Sequence, residues 1–338
     1  MTQWLSGTRK NKVRRMKIAL VGAGLAGLTC AQNLHRQGHS TTLFEASAKV
    51  GGRTASPVGR AENLDDGAQY FTARDERFRH QVQQWVATGL AAEWQARIGT
   101  WEGGRFFERL ASEPRFVGTP DMSGFCTAMG ERLSVRYDHT VVEINRQGGQ
   151  WTLSFADETV STEAFDAVVT AVPAPIAGKL LTANPQLAQQ AETVAMSRCW
   201  AVGLRFSQRL PIPVDGAFCK HPVLSWIARN NTKPGRHCDE QWLLHATPEW
   251  SAQHAGLAED EAATLLIDAF QALTGHAAPP QKVAVYEWPY AASLNPLDAG
   301  YLLDAELRLG ACGDWCHGNR IEGAYLSGLK LAEALGKL

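Results

Sequence analysis

The chain has 338 residues, enough for two domains with real cores. Its 33 lysines and arginines balance 34 acids, so no global field favours nucleic acid or an anionic membrane surface. No apolar run reaches the roughly 18 residues of a membrane span. Seven scattered cysteines, an odd number, fit a reducing, cytoplasmic compartment better than a disulfide framework, and a Cys312/Cys316 pair without partners implies no metal.

Residues 1–15, with Lys10, Lys12, Arg14 and Arg15, read as a solvated extension, with Met16 a candidate natural start. The basic stretch runs into an apolar one as a secretion signal would, but the glycines that follow argue for a phosphate site instead. Gly22, Gly24 and Gly27 are spaced G-x-G-x-x-G between the β-branched run Ile18 to Val21 and a helical pattern carrying Leu25, Leu28, Ala31 and Leu34. Strand, tight turn and helix bring bare backbone and a helix N-terminus to a pyrophosphate. Gly38 stops that helix, and a second strand, Thr41 to Phe44, ends in Glu45, eighteen residues past Gly27, where a ribose hydroxyl would be gripped.

"KVGGRTAS" follows, with Gly51, Gly52 and Arg53, and then "NLDDGAQYFTARD", with Asp66, Gly67, Ala68 and Gln69. Two glycines and a guanidinium suit the second flank of a pyrophosphate, or form an ordinary turn. The pattern from Phe78 to Trp94 predicts a helix; from Val135 to Val160 it predicts short strands joined by "RQGGQ"; Ala167 to Val172 reads as a buried parallel strand. Leu180 to Ala305 holds five of the eleven tryptophans, four strand-like runs and one helix, Glu259 to Leu273. The end reads as strand, glycine-rich turn and long helix, so the chain returns to its first domain.

"GAGLAG", Glu45, "GGR" and a late "GD" before a terminal helix, in this order, resemble the flavin-containing amine oxidase superfamily. Within it, "DDGAQYFTARD", "WIARNNTKPGR", "WLLHAT" and "CGDWC" followed by "EGAYLSG" are similar to the bacterial renalases, from Met16 to the C-terminus. The resemblance implies non-covalent FAD and oxidation of 2- or 6-dihydro isomers of NAD(P)H, with O2 reoxidising the flavin to hydrogen peroxide. It places Gly22, Gly24, Leu25, Ala26 and Gly27 at the FAD pyrophosphate and Glu45 at the adenosine ribose. Gly52, Arg53, Gln69 and Val142 would also be cofactor contacts. Gly313 and Asp314 would hold the ribityl chain and phosphate; Glu322, Gly323 and Ala324 would open the terminal helix beside the flavin ring, where its dipole favours the charge of the reduced ring.

A dihydropyridine substrate needs stacking and orientation rather than a general base, and no H-E-x-x-H or G-x-S-x-G occurs. The catalytic candidates are Tyr70, His245, Trp288 and Arg229. Trp288 also fits a core tryptophan and His245 a satisfied core histidine. Arg229, after an apolar strand, is preferred as a substrate-phosphate contact, with Lys233 and Arg236 read as a solvated loop. Where the resemblance leads one to expect arginine–tryptophan, the chain has Glu287-Trp288-Pro289-Tyr290, a reversed charge and a lost ladder donor. An amine or polyamine oxidase with walls of Trp226, Trp242 and Trp288 is one alternative; a non-catalytic flavin-binding redox sensor is another.

The expected architecture is α/β: a discontinuous Rossmann-like FAD-binding domain (16–72, 133–178 and 305–338) and a mixed-sheet α+β substrate domain (73–132 and 179–304). The expected partners are a dihydronicotinamide dinucleotide and O2, with neither nucleic acid nor membrane.

Overall fold

The computed structural model describes residues 15–56, 64–109 and 112–338; all but the last residue of the expected extension lies outside them. The chain opens β1 (Lys17–Val21), α1 (Leu25–Arg36), β2 (Ser40–Phe44). It continues through α2 (Glu76–Ala87), β3 (Ala91–Glu93), β4 (Ile98–Glu102), β5 (Arg105–Glu108), β6 (Phe116–Gly118), α3 (Gly124–Gly130) and β7 (Ser134–Arg136). A hairpin of β8 (Val141–Gln147) and β9 (Gln150–Phe155) precedes β10 (Ala167–Thr170), α4 (Ala174–Leu180) and α5 (Pro185–Glu192). Then come β11 (Met196–Phe206), β12 (Gly216–Cys219), β13 (Leu224–Arg229), β14 (Glu240–Ala246), α6 (Pro248–Gln253), α7 (Glu259–Thr274) and β15 (Gln281–Ser293). The chain closes with β16 (Leu302–Asp304), β17 (Leu309–Ala311) and α8 (Ile321–Leu335).

The first sheet has the order β16-β17-β10-β1-β2-β7 and is parallel except for edge strand β16. Four of the five β1 residues are buried, which is why it reads as an unbroken apolar run: it is covered on both faces. On one face α1 and α8 pack together, with Leu28, Leu34, Leu326 and Leu331 in one core. On the other, α4, α5 and the β8/β9 hairpin enclose Trp151, Val168 and Leu309. The α1/α8 approach is close, since a Cβ added at Gly328 would fall 2.2 Å from the Ala26 carbonyl oxygen.

The second sheet, β15-β11-β14-β13-β12-β4-β5, is antiparallel except where β12 meets β4. One face lies under α6 and α7, with Val202, Leu204, Trp242, Leu244 and Phe270 between. The other face turns toward the loops of the first sheet, and Ala201, Leu243 and Trp288 pack there on Leu64.

Two sequence expectations change. The helix expected over Phe78 to Trp94 begins earlier, because the Asp75 carboxylate accepts the Arg77 N–H at 2.9 Å as an N-cap, and ends at Ala87. Thr88 and Gly89, the latter at φ +72°, then turn the chain so that Ala91–Glu93 pairs with β6. Pro289 sits inside β15 without breaking the sheet, because β15 is an edge strand paired only with β11.

Candidate active site

Gly22 (φ +98°) turns the chain out of β1, where a Cβ would lie 2.6 Å from the Ala171 carbonyl oxygen. A Cβ at Gly27 would lie 2.2 Å from Gly22 O, so this glycine lets α1 start directly against the turn. Gly24 differs: as N-cap of α1 it has nothing within 4 Å of an added Cβ, and Gly52 beside it meets only the Gly24 Cα at 3.5 Å. No side chain caps α1 and no acid occupies its first turn, so its free N–H groups and positive dipole end face open space. The Glu45 carboxylate stands at the tip of β2, accepting from Ala23 N (2.8 Å) and from Ser47 N and Oγ (3.0 Å each). A carboxylate offers about four acceptor positions, so half-buried Glu45 keeps capacity for a hydroxyl. His139 N binds Glu45 O at 2.9 Å, which brings the β8 start to the same edge; Val142 lies there, 51% exposed, at an irregularity of the β8/β9 ladder.

Arg53 and Asp314 meet each other. The guanidinium binds both carboxylate oxygens (3.0 and 2.5 Å) and the Ala291 carbonyl of β15 (3.0 Å), tying the glycine turn to both sheets. The Arg53 carbonyl accepts the Ala68 N–H at 3.0 Å, and a Cβ on Gly67 would strike that oxygen at 2.2 Å. Gly313 N donates to Ser327 Oγ of α8 at 3.0 Å. At the start of α8, Glu322 accepts the Arg74 and Asp75 N–H groups (2.6 and 2.7 Å), and Gly323 is required because a Cβ would lie 2.0 Å from His317 O. Ala324 N bonds Arg320 O, and no side chain caps this helix.

On the second sheet, His245 Nε2 and Trp288 Nε1 converge on one atom, the Asp66 carbonyl oxygen, at 2.8 and 3.1 Å. A carbonyl only accepts, so this network assigns the His245 proton to Nε2 and leaves Nδ1 as an acceptor. Burial, with the nearby Lys233 charge adding to it, pushes the His245 pKa down to about 4, so the ring is neutral at physiological pH. Tyr70 stands between Trp94 and Trp226, with ring centroids 6.2 and 5.9 Å away.

A model of the flavin containing amine oxidoreductase family matches residues 118–336. The chain belongs to this family. Residues 20–85 match an NAD(P)-binding Rossmann-like domain. Among solved structures, the chain is similar to a "Putative protoporphyrinogen oxidase" from Exiguobacterium sp. 255-15 (TM-score 0.75, 13% identity, 96% of this chain and 99% of that one). It is also similar to a putrescine oxidase triple mutant with redesigned cofactor binding (TM-score 0.70, 14% identity, 95% and 98%). Those likenesses show the fold. Curated relatives match only in part: the glutamate synthase [NADPH] small chain of Mycobacterium tuberculosis is 41% identical over 94 residues, 27% of this chain and 19% of that protein. The zeta-carotene desaturase of Zea mays is 43% identical over 58 residues, 17% of this chain and 10% of that one.

As a member of the amine oxidoreductase family the protein is a flavin-dependent oxidoreductase, and its cofactor is FAD. The residues present fit that group: the open glycine cradle at Gly24 and Gly52 faces an uncapped helix N-terminus, and Glu45 retains acceptor capacity. Among the described residues no cluster of metal-ligating side chains occurs, and no helix is long and apolar enough to cross a membrane.

Several sequence-stated roles fall differently in this flavoprotein. Arg229 is not at the site: it is 2% exposed on the helix-covered face, paired with Glu240 (3.1 Å), bonded to the Leu210 and Ile212 carbonyls and lying over the Trp242 ring. A cleft of about 640 Å³ beside it, formed by Arg97 and the 209–215 loop, is lined by Arg97, Arg209 and Arg229, of which Arg97 and Arg229 are already hydrogen-bonded. The expected solvated cations are buried instead: Lys233 binds Asp65 Oδ2 (2.9 Å) and Gln69 Oε1 (3.1 Å), and Arg236 binds Asp65 Oδ2 (2.7 Å). Gln69 spends its amide on its own loop, donating to Asp65 O and Gly67 O while accepting from Trp226 Nε1 and Lys233. Glu287 points away from Trp288 to the other face, where it pairs with Arg198, so the reversed charge does not enter the site. Asp65 was missed by sequence reasoning; the doubled acid of "LDDGAQ" was its only signal.

Proposed function

We propose that the protein oxidises 2- or 6-dihydro isomers of NAD(P), by hydride transfer, with O2 as final acceptor and hydrogen peroxide as product. The observation that carries this reading is the convergence of His245 and Trp288 on the Asp66 carbonyl. It holds a neutral imidazole with an acceptor nitrogen beside an indole, a pair suited to receive a carboxamide N–H and a flat ring. When bound, FAD supplies the two-electron acceptor. The chain's own residues orient the substrate and hold the pocket neutral or positive; a histidine with a pKa near 4 takes no proton, and a dihydropyridine requires none removed. Tyr70 and Trp226 form the adjoining wall, and we assign the cofactor half to 16–72, 133–178 and 305–338. In this assignment the FAD is held without a covalent bond and the enzyme works in the cytoplasm.

Amine oxidation is the second reading, supported by the aromatic walls of Trp226 and Trp288 and by the likeness in fold to a putrescine oxidase. Buried Lys233, hydrogen-bonded to Gln69 next to Tyr70, weighs against it by repelling an ammonium. Anaerobic mixing with each dihydroNAD isomer, ordinary NADH and a panel of amines decides. Rapid bleaching by the 2- or 6-isomers alone supports the proposal; bleaching by an amine alone replaces it, and bleaching by none leaves redox sensing as the role to test.

A further inference from the structure

The site-facing side of the second sheet carries one continuous row of side chains. Strand register sets Phe107 opposite Thr100, Thr100 opposite Phe218, Phe218 opposite Trp226 and Trp226 opposite His245. Laterally paired residues share a face, so the row runs from His245 to the open edge of the sheet at β5. Its aromatic members emerge in order: Trp226 is 5% exposed, Phe218 40% and Phe107 54%. At about 4.8 Å per strand, Phe218 lies about 10 Å from His245 and Phe107 about 19 Å.

Two cations border this row. The Arg109 guanidinium sits 5.8 Å from the Phe218 ring centroid, and that of Arg115 sits 5.7 Å from Tyr70, which packs on Trp226. Among the described residues neither takes part in an ion pair, whereas Glu108 and Glu113 nearby are paired with Arg97 and Arg74. Phe218 meets Trp226 at 4.7 Å with the two ring planes 61° apart, and it remains 40% exposed. Exposed aromatic rings in line with a buried site, flanked by unpaired guanidiniums, suit a flat heterocycle carried on phosphates.

We propose that this row seats the distal half of a dinucleotide substrate, with Arg109 and Arg115 on its pyrophosphate and Phe218 against its adenine ring, while the nicotinamide reaches His245. The inference rests on the dihydronicotinamide reading and adds where the rest of the molecule lies. It gives the chain a means of preferring dinucleotides over mononucleotides and anionic substrates over amines.

The test uses FAD-loaded wild type and the variants Arg109→Gln, Arg115→Gln and Phe218→Ala. Each is titrated with NAD+, the product of the proposed oxidation, following the flavin absorbance. Each is then reduced anaerobically by a 6-dihydronicotinamide dinucleotide and by the matching mononucleotide. Each arginine variant should weaken NAD+ by about tenfold, raise the dinucleotide KM similarly and flatten its salt dependence, while Phe218→Ala should weaken the dinucleotide and leave the mononucleotide, which has no adenine, unaffected. Unchanged NAD+ affinity in all three variants overturns the subsite, as does an equal loss on dinucleotide and mononucleotide in Phe218→Ala. A wild type that no dihydronicotinamide reduces overturns the parent reading and the subsite together. If Phe218→Ala turns a dimer into a monomer with NAD+ affinity intact, the row is a contact between copies and the proposal falls.

Discussion

Lys233 Nζ lies 2.9 Å from Asp65 Oδ2, and neither side chain reaches solvent. The same carboxylate takes Arg236 at 2.7 Å and the Met122 N–H at 3.0 Å. Burial alone would raise the Asp65 pKa, but the two cations together outweigh it and hold the carboxyl below its usual range. Burial, against the pull of Asp65, brings Lys233 down to about 8. Asp65 comes from the loop after the glycine turn and the cations from the loop after β13, so one carboxylate clamps the cofactor side to the second sheet. Asp65→Asn leaves two buried cations without their anion and should cost about 3–5 kcal/mol in urea unfolding. Adding Lys233→Met should recover part of that loss, and an Asp65→Asn protein as stable as wild type would remove the clamp.

The glycines of the first turn should separate by function. At Gly24 an added Cβ meets nothing, so Gly24→Val should keep its fold by circular dichroism yet purify with little flavin absorbance. At Gly27 the Cβ would overlap Gly22 O at 2.2 Å, so Gly27→Val should lose fold and flavin together. A Gly24→Val protein that stays fully yellow would sink the cradle.

The Rossmann-like first sheet was legible because its constraints are local. A turn that admits only glycine, a strand apolar on both faces and an acid at the next strand tip each leave a mark within thirty residues. The site on the second sheet was half legible: Trp288 and His245 could be nominated, but not their shared acceptor, because Asp66 lies 179 residues from His245. Arg229, Lys233 and Arg236 show why. A strand's alternation sends Arg229 to the helix-covered face, and only tertiary packing decides that a loop of two cations closes on a carboxylate 168 residues away. Charge in a sequence reads as solvated until its partner is known.

His245 should leave a mark on acid stability. Its folded pKa near 4 lies below the ordinary value of 6.5, so between those limits the unfolded chain binds a proton that the folded chain refuses. Its contribution is full above about pH 6.5 and falls as pH drops, by about 3 kcal/mol at pH 4. His245→Gln keeps a donor for the Asp66 carbonyl but cannot titrate, so its melting temperature should decline less than wild type between pH 7 and 4.5. Parallel curves would mean that the ring is not held neutral.

Arg229 and Trp288 should fail in opposite ways. Arg229→Met strands Glu240, which also accepts from Trp242 Nε1 at 2.8 Å inside the helix-covered core, and should cost about 3–5 kcal/mol. The remaining folded, yellow enzyme should show an unchanged KM, because the guanidinium faces away from the His245 side of the sheet. Trp288→Phe keeps an aromatic ring and loses the 3.1 Å bond to the Asp66 carbonyl, so stability should move by about 1 kcal/mol while anaerobic flavin reduction slows severalfold. Stopped-flow reduction and thermal melts on the two variants read both quantities. A raised KM in Arg229→Met at unchanged stability would return that arginine to the substrate, against every bond the structure gives it.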